Sequence, residues 1–183
     1  MPENGSLSLA MDHFELRVEA NPESEPTPVQ IVINGDPLLD TVRRLEEPFV
    51  AAETRERLSQ GESEAELSGF IAGDYAYPTQ SIMSEGDRDF FGVIDSIFRL
   101  DSQESMRGKV CVLECNCGNP GCWPLLVRIS ELADEVVWAD FEQFHRDWEY
   151  DLGPFRFDRA KYEEELQRVA TCLAPHRSSQ PME

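Results

Sequence analysis

Three of the chain's five cysteines fall within eight residues, in Glu114-Cys115-Asn116-Cys117-Gly118-Asn119-Pro120-Gly121-Cys122-Trp123-Pro124. The cysteines are wrapped around a Gly-Asn-Pro-Gly turn and followed at once by Trp-Pro. Apolar, strand-like runs lead in (Lys109 to Leu113) and out (Leu125 to Ile129). A turn of this kind between two strands commits the region to an antiparallel hairpin and gathers thiols at its tip.

Cys115, Cys117 and Cys122 offer three thiolates, and a fourth ligand would complete a tetrahedral zinc site. His145 is the candidate by residue type and by its loop. Cys111 competes, but lies four residues up the incoming strand. On an ideal strand, the thiols of a Cys-x-Cys pair point to one face about 7 Å apart. That is too far for one metal at about 2.3 Å from each sulfur, so the strand must bend, and Gly118 permits a bend at Cys117-Gly118. Two other readings stand beside zinc: small buried thiols packing against Trp123, and a redox pair of Cys117 and Cys122. His145, between Phe144 and Trp148, also reads as a hydrogen-bonded structural residue. An aromatic belt from Trp138 to Phe157 could line a pocket, with Asp140, Glu142, Asp147 and Glu149 beside it, although aromatics covering a sheet end with acids in water is the plainer reading.

Charge narrows the classes of partner. The 183 residues carry 36 acidic against 16 basic side chains, a net charge of −20. Such a surface repels phosphate backbones, which argues against direct nucleic-acid binding. It suits a basic protein or cations. No apolar run approaches the length of a membrane span, and Met1-Pro2-Glu3-Asn4 has no basic n-region of a signal peptide. An odd number of clustered cysteines is unlike a disulfide framework, so a reducing cytoplasm is the expected compartment.

Along the chain, residues 1–11 are expected to be a flexible N-terminus, 12–173 a single domain and 174–183 a disordered tail. Phe14, Leu16 and Val18 alternate with charged neighbours, the period of a half-buried strand, and Val29 to Ile33 is a second, more central strand expected to pair with it. Asp36-Pro37 reads as a helix start, with Asp36 as N-cap and Pro37 at the first helical position. Leu38, Leu39, Val42 and Leu45 then mark the apolar face, Arg43, Arg44 and Glu46 the polar one, and Pro48 the end. A short helix is expected around Glu53 to Leu58 and a loop with aromatic anchors from Ser68 to Met83. Ile94 to Leu100, Lys109 to Cys115, Pro124 to Ile129 and Val136 to Phe141 form an expected antiparallel meander. Glu142 to Phe157 reads as irregular. Asp158 then caps a last helix to Cys172, with Phe157 stapled to Tyr162 and a stripe of Tyr162, Leu166, Val169 and Leu173.

The string Cys115-x-Cys117-Gly118-x-x-Gly121-Cys122-Trp123-Pro124-Leu125 resembles a group of bacterial proteins to which no activity is assigned. The likeness continues through Val137-Trp138-x-x-Phe141, Gln143-x-His145-Arg146-x-Trp148, Gly153-Pro154-Phe155-x-Phe157 and Tyr162-Glu163. It implies no substrate, cofactor or partner; it implies only that the knuckle and the His145 segment belong to one module.

The expected fold is therefore α+β, a largely antiparallel sheet with two main helices on one face. The leading functional expectation is a small acidic binding protein, of inhibitor or immunity type, acting on a basic protein. The alternative is a thiol-redox or metal-assisted enzyme centred on Cys115, Cys117, Cys122 and His145.

Overall fold

The computed structural model describes residues 10–18, 28–78, 108–117 and 122–173. The protein is α+β, with two antiparallel sheets and helices packed against them. The strand expected at Ile94 to Leu100 lies outside the described residues.

The first sheet has the order β1-β2-β3, with β1 Phe14–Val18, β2 Val29–Ile33 and β3 Asp36–Pro37. Strands β1 and β2 pair antiparallel from Phe14↔Ile33 to Val18↔Val29, as the alternation predicts. Asp36-Pro37 corrects the sequence reading: these residues are strand, not helix cap, and pair with Ile33 and Val32. The signal lay in Asn34-Gly35, whose φ angles of 55° and 90° are both positive. A two-residue hairpin whose twist matches its strands needs that geometry, and Asn-Gly favours it.

Helix α1, Leu38–Ser59, starts directly after β3. No side chain of its own caps it; the Leu39 N–H instead donates to the Tyr77 hydroxyl, 3.1 Å away across the fold. Nor does Pro48 end it: the helix runs on to Ser59 and absorbs the short helix expected at Glu53 to Leu58. Pro48 is exposed, so its ring faces water and the cost is one missing backbone bond. A one-turn helix, α2, Glu64–Leu67, follows, started by a Ser63–Glu66 capping box.

The second sheet has the order β4-β5-β6-β7-β8: β4 Tyr75–Ala76, β5 Val110–Cys115, β6 Leu125–Glu131, β7 Glu135–Gln143 and β8 Phe155–Asp158. The meander β5-β6-β7 is as expected. Strand β8 lies where irregular chain was expected, and pairs with β7 from Trp138↔Phe155 to Glu135↔Asp158. The register of β6 and β7 slips between Leu126 and Arg128, opposite Asp140, whose φ is 55°. This bulge flips the parity of β7: Val136 and Trp138 are buried before it, Phe141 and Gln143 after it.

The last helix, α3, spans Arg159–Leu173 and begins as predicted. The Asp158 carboxylate accepts from the Lys161 N–H at 3.0 Å, and the Phe157 and Tyr162 rings stack at 5.8 Å. Tyr162, Leu166 and Val169 are buried. Arg168 pairs with Glu165 and also donates to the Leu16 carbonyl, tying α3 to β1.

One core joins both sheets. Trp138 is fully buried, with the rings of Phe14, Phe157 and Tyr162 at 5.5, 5.8 and 6.3 Å. Each large apolar side chain so buried contributes about 1.5–3 kcal/mol. Helix α1 lies against β2 and β3, and α3 against β1, β7 and β8. No helix among the described residues is long and apolar enough to cross a membrane.

Candidate metal centre

Strand β5 ends at Cys115, and Asn116 and Cys117 form the turn that follows. The bend thus falls two residues before Gly118, which lies with Asn119, Pro120 and Gly121 outside the described residues. What closes it is local. The Cys117 N–H donates to the Cys115 sulfur at 3.4 Å, so the thiol does for this turn what a short carboxylate does elsewhere. The Asn116 amide donates to Asp74 at 3.3 Å, and Cys115 is paired across the sheet with Tyr75. The strand-geometry obstacle therefore disappears: the Cys115 and Cys117 sulfurs are 2.9 Å apart.

Cys122 completes the group. The sulfurs of Cys115, Cys117 and Cys122 all lie within 4.8 Å of one another, with Cys115 half-buried and the other two exposed. Burial pushes the Cys115 thiol up to about 11, helped by its hydrogen bond to Cys117. A metal entering here must displace that proton, and binding consequently tightens as pH rises. Cys111 stands apart: its thiol donates to the Leu113 carbonyl at 3.2 Å, and burial pushes it up to about 12.

His145 is not one of the gathered donors. Its exposed ring stacks beside Trp123, with centroids 6.3 Å apart. Gln143, fully buried, sets the turn that carries it: the side-chain oxygen accepts from the His145 N–H at 2.7 Å, and the Gln143 carbonyl from the Arg146 N–H at 3.0 Å.

Trp123 packs partly into the core, beside the thiols in sequence. The Arg146 guanidinium lies 4.6 Å from its ring centre, 5.4 Å from that of Phe70 and 5.9 Å from that of Trp148. Arg146 also binds Glu53 of α1 at 3.0 Å. One cation thus ties together the knuckle, the 60–78 segment and α1.

Beside this lies a cluster that the sequence reading missed. Glu46, assigned to the polar face of α1, is fully buried. Its carboxylate accepts from the Gly73 N–H at 2.8 Å, from the Tyr75 hydroxyl at 2.6 Å and from the Tyr150 hydroxyl. Burial, reinforced by the charge of Glu46, pushes both phenols well above their ordinary range. Gly73 is needed where it stands: its φ is +66°, and a Cβ there would meet the Arg43 Cβ at 2.6 Å. The available signal was spacing: Leu38, Val42 and Glu46 repeat every four residues, which puts the acid on the buried stripe.

Of the acids noted beside the aromatic belt, two are engaged in ion pairs. Asp140 binds Arg128 at 3.0 Å and Glu142 binds Lys109 at 2.6 Å. A cleft of about 380 Å³ between β1, β8 and α3 is lined by His13, Phe157, Lys161 and Arg168, among others. Three of its carboxylates are engaged: Asp12 by the Arg156 N–H, Asp158 in the helix cap and Glu165 with Arg168.

No family model, no curated protein and no solved structure matches the chain.

Proposed function

We propose that this protein binds a thiophilic metal ion through Cys115, Cys117 and Cys122. The observation that carries the reading is the convergence of three sulfurs within 4.8 Å at an exposed turn. Thiolates around one ion at about 2.3 Å stand about 4 Å apart, so loading asks for small shifts: the Cys115 and Cys117 sulfurs, 2.9 Å apart, must separate, while all three already lie within 4.8 Å. An all-sulfur donor set favours soft ions such as zinc or monovalent copper over magnesium or calcium, which want oxygen. A reducing compartment, the cytoplasm, would keep these thiols available. With zinc, a fourth donor is required, and His145 is the expected one; its ring would have to turn from Trp123 toward the sulfurs.

Metal analysis of the protein purified under reducing conditions tests the reading. The expected result is a bound soft metal in the native protein that Cys117→Ser loses. Metal-free protein that takes up neither zinc nor copper on reconstitution would refute it.

A second reading rests on charge. Arg17, Arg57, Arg128, Arg146, Arg156, Arg159 and Arg168 are each engaged by acids of the chain itself. With 36 acids against 16 basic residues, the excess of negative charge suits a basic protein partner. Such an association should weaken steeply with salt; partners retained equally at low and high salt would sink it.

A further inference from the structure

We propose that the Cys115–Cys117–Cys122 turn is an exchange site for a monovalent soft ion, copper(I), held by three thiolates alone. The inference rests on the metal-binding reading and adds the class of ion and the kind of site. Its argument is the donor count. Among the described residues, no histidine, carboxylate or fourth cysteine joins the three sulfurs. The two fourth ligands that the sequence offers are otherwise disposed: Cys111 donates to the Leu113 carbonyl, and the His145 ring lies along Trp123. Closed zinc sites take four protein ligands. Copper(I) is satisfied by thiolates and does not demand a fourth.

Position supports exchange over permanent retention. Cys117 and Cys122 are exposed, and only Cys115 is half-buried. A structural ion is walled in by the elements it joins, whereas here two of the three ligand atoms face solvent at the end of a strand. An incoming thiol from a donor or acceptor could reach the ion and replace Cys117 or Cys122 one sulfur at a time, with Cys115 as the inner anchor. No electron changes hands: copper stays monovalent, each protein thiol gives up its proton as its sulfur binds, and each leaving thiolate takes one back. The acidic surface draws a cation toward the turn.

The test uses the full-length reduced protein under anaerobic conditions. It is titrated with copper(I) against a copper(I) chelator, and separately with zinc against a zinc chelator. Binding is followed by sulfur-to-copper absorption and by tryptophan emission, to which Trp123 contributes. The expected result is a single copper(I) ion that excess zinc does not displace and that the chelator removes within minutes. The Cys117→Ser/Cys122→Ser double variant should lose it, while its circular dichroism stays native because both side chains are exposed. Zinc bound in a four-ligand site, with copper(I) unable to compete, would overturn this proposal and leave the metal-binding reading standing. Binding of neither ion would overturn both. Copper(I) retained undiminished by the double variant would place the ion elsewhere and overturn the assignment to this turn.

Discussion

Two polar clusters sit side by side on β4 and β5, and they are opposites. Around Glu46, one acceptor group meets three donors of different origin: a backbone N–H and two phenols. The set is buried and complete. Around Cys115, three like groups meet one another, and two are in solvent. Burial of mixed donors and acceptors produces a structural joint that needs nothing from outside. Convergence of three thiols at an exposed turn leaves groups whose strongest partners lie outside the chain, which is what the proposed metal binding uses. Cross-strand pairing of Tyr75 with Cys115 makes the two clusters neighbours, so one can hold the frame on which the other works.

The sharpest way to break this contrast is at Glu46. Glu46→Ala leaves two buried phenols and the Gly73 N–H without their acceptor and should cost about 3–5 kcal/mol in urea unfolding. Glu46→Gln keeps an acceptor and should cost less. A near-neutral Glu46→Ala would mean that the cluster is not the joint described.

Tyr150→Phe removes one hydrogen bond to a charged group and should cost about 1.5–3 kcal/mol. It also tests pH dependence. Both phenols have raised values in the folded state, so the native protein holds protons that the unfolded chain releases. Their contribution is fully present below the ordinary phenol value, near pH 10, and is lost as pH rises beyond it. Stability should fall by about 1.4 kcal/mol per pH unit for each such phenol, and Tyr150→Phe should make that fall shallower.

Arg146→Ala should cost about 0.5–1 kcal/mol, since its ring contacts and its bond to Glu53 are partly exposed. Tryptophan emission should shift with it, since Trp123 and Trp148 both lie beside Arg146, and a fluorescence spectrum checks this. The smallest effect on stability belongs to the thiols: Cys117→Ser should change it by no more than about 0.5 kcal/mol. Alkylation followed by mass spectrometry should label Cys117 and Cys122 first. Cys115 should be slower and Cys111 slowest of the four, because burial raises both and leaves little thiolate near neutral pH.

Local signals carried the parts of the fold that were legible. Alternation marked β1, and Asp158 with the Phe157–Tyr162 staple marked the start of α3, because each rests on residues a few positions apart. Pro48 misled because a proline's cost depends on which way its ring faces, and that is decided by the packing of α1. Asn34-Gly35 was a readable hairpin signal that the neighbouring Asp36-Pro37 masked. The thiol cluster was legible because its members are adjacent in sequence. Glu46 was not: its spacing hinted at burial, but its partners lie 27, 29 and 104 residues away, and one sequence does not pair them.

The contact between Glu46 and Tyr150 has a consequence for assembly. It closes a loop of more than a hundred residues, whereas β6 and β7 are joined by three residues and can zip together at once. Long closures pay their entropy before their contacts form, so they come late. The hairpin that carries Gln143 is therefore expected to acquire hydrogen-exchange protection early in refolding, and the Gly73 amide only when α1 docks. Until that docking, the thiol turn hangs on a strand whose neighbour β4 has not been anchored, so the order of folding itself is expected to delay the moment at which the three sulfurs come together.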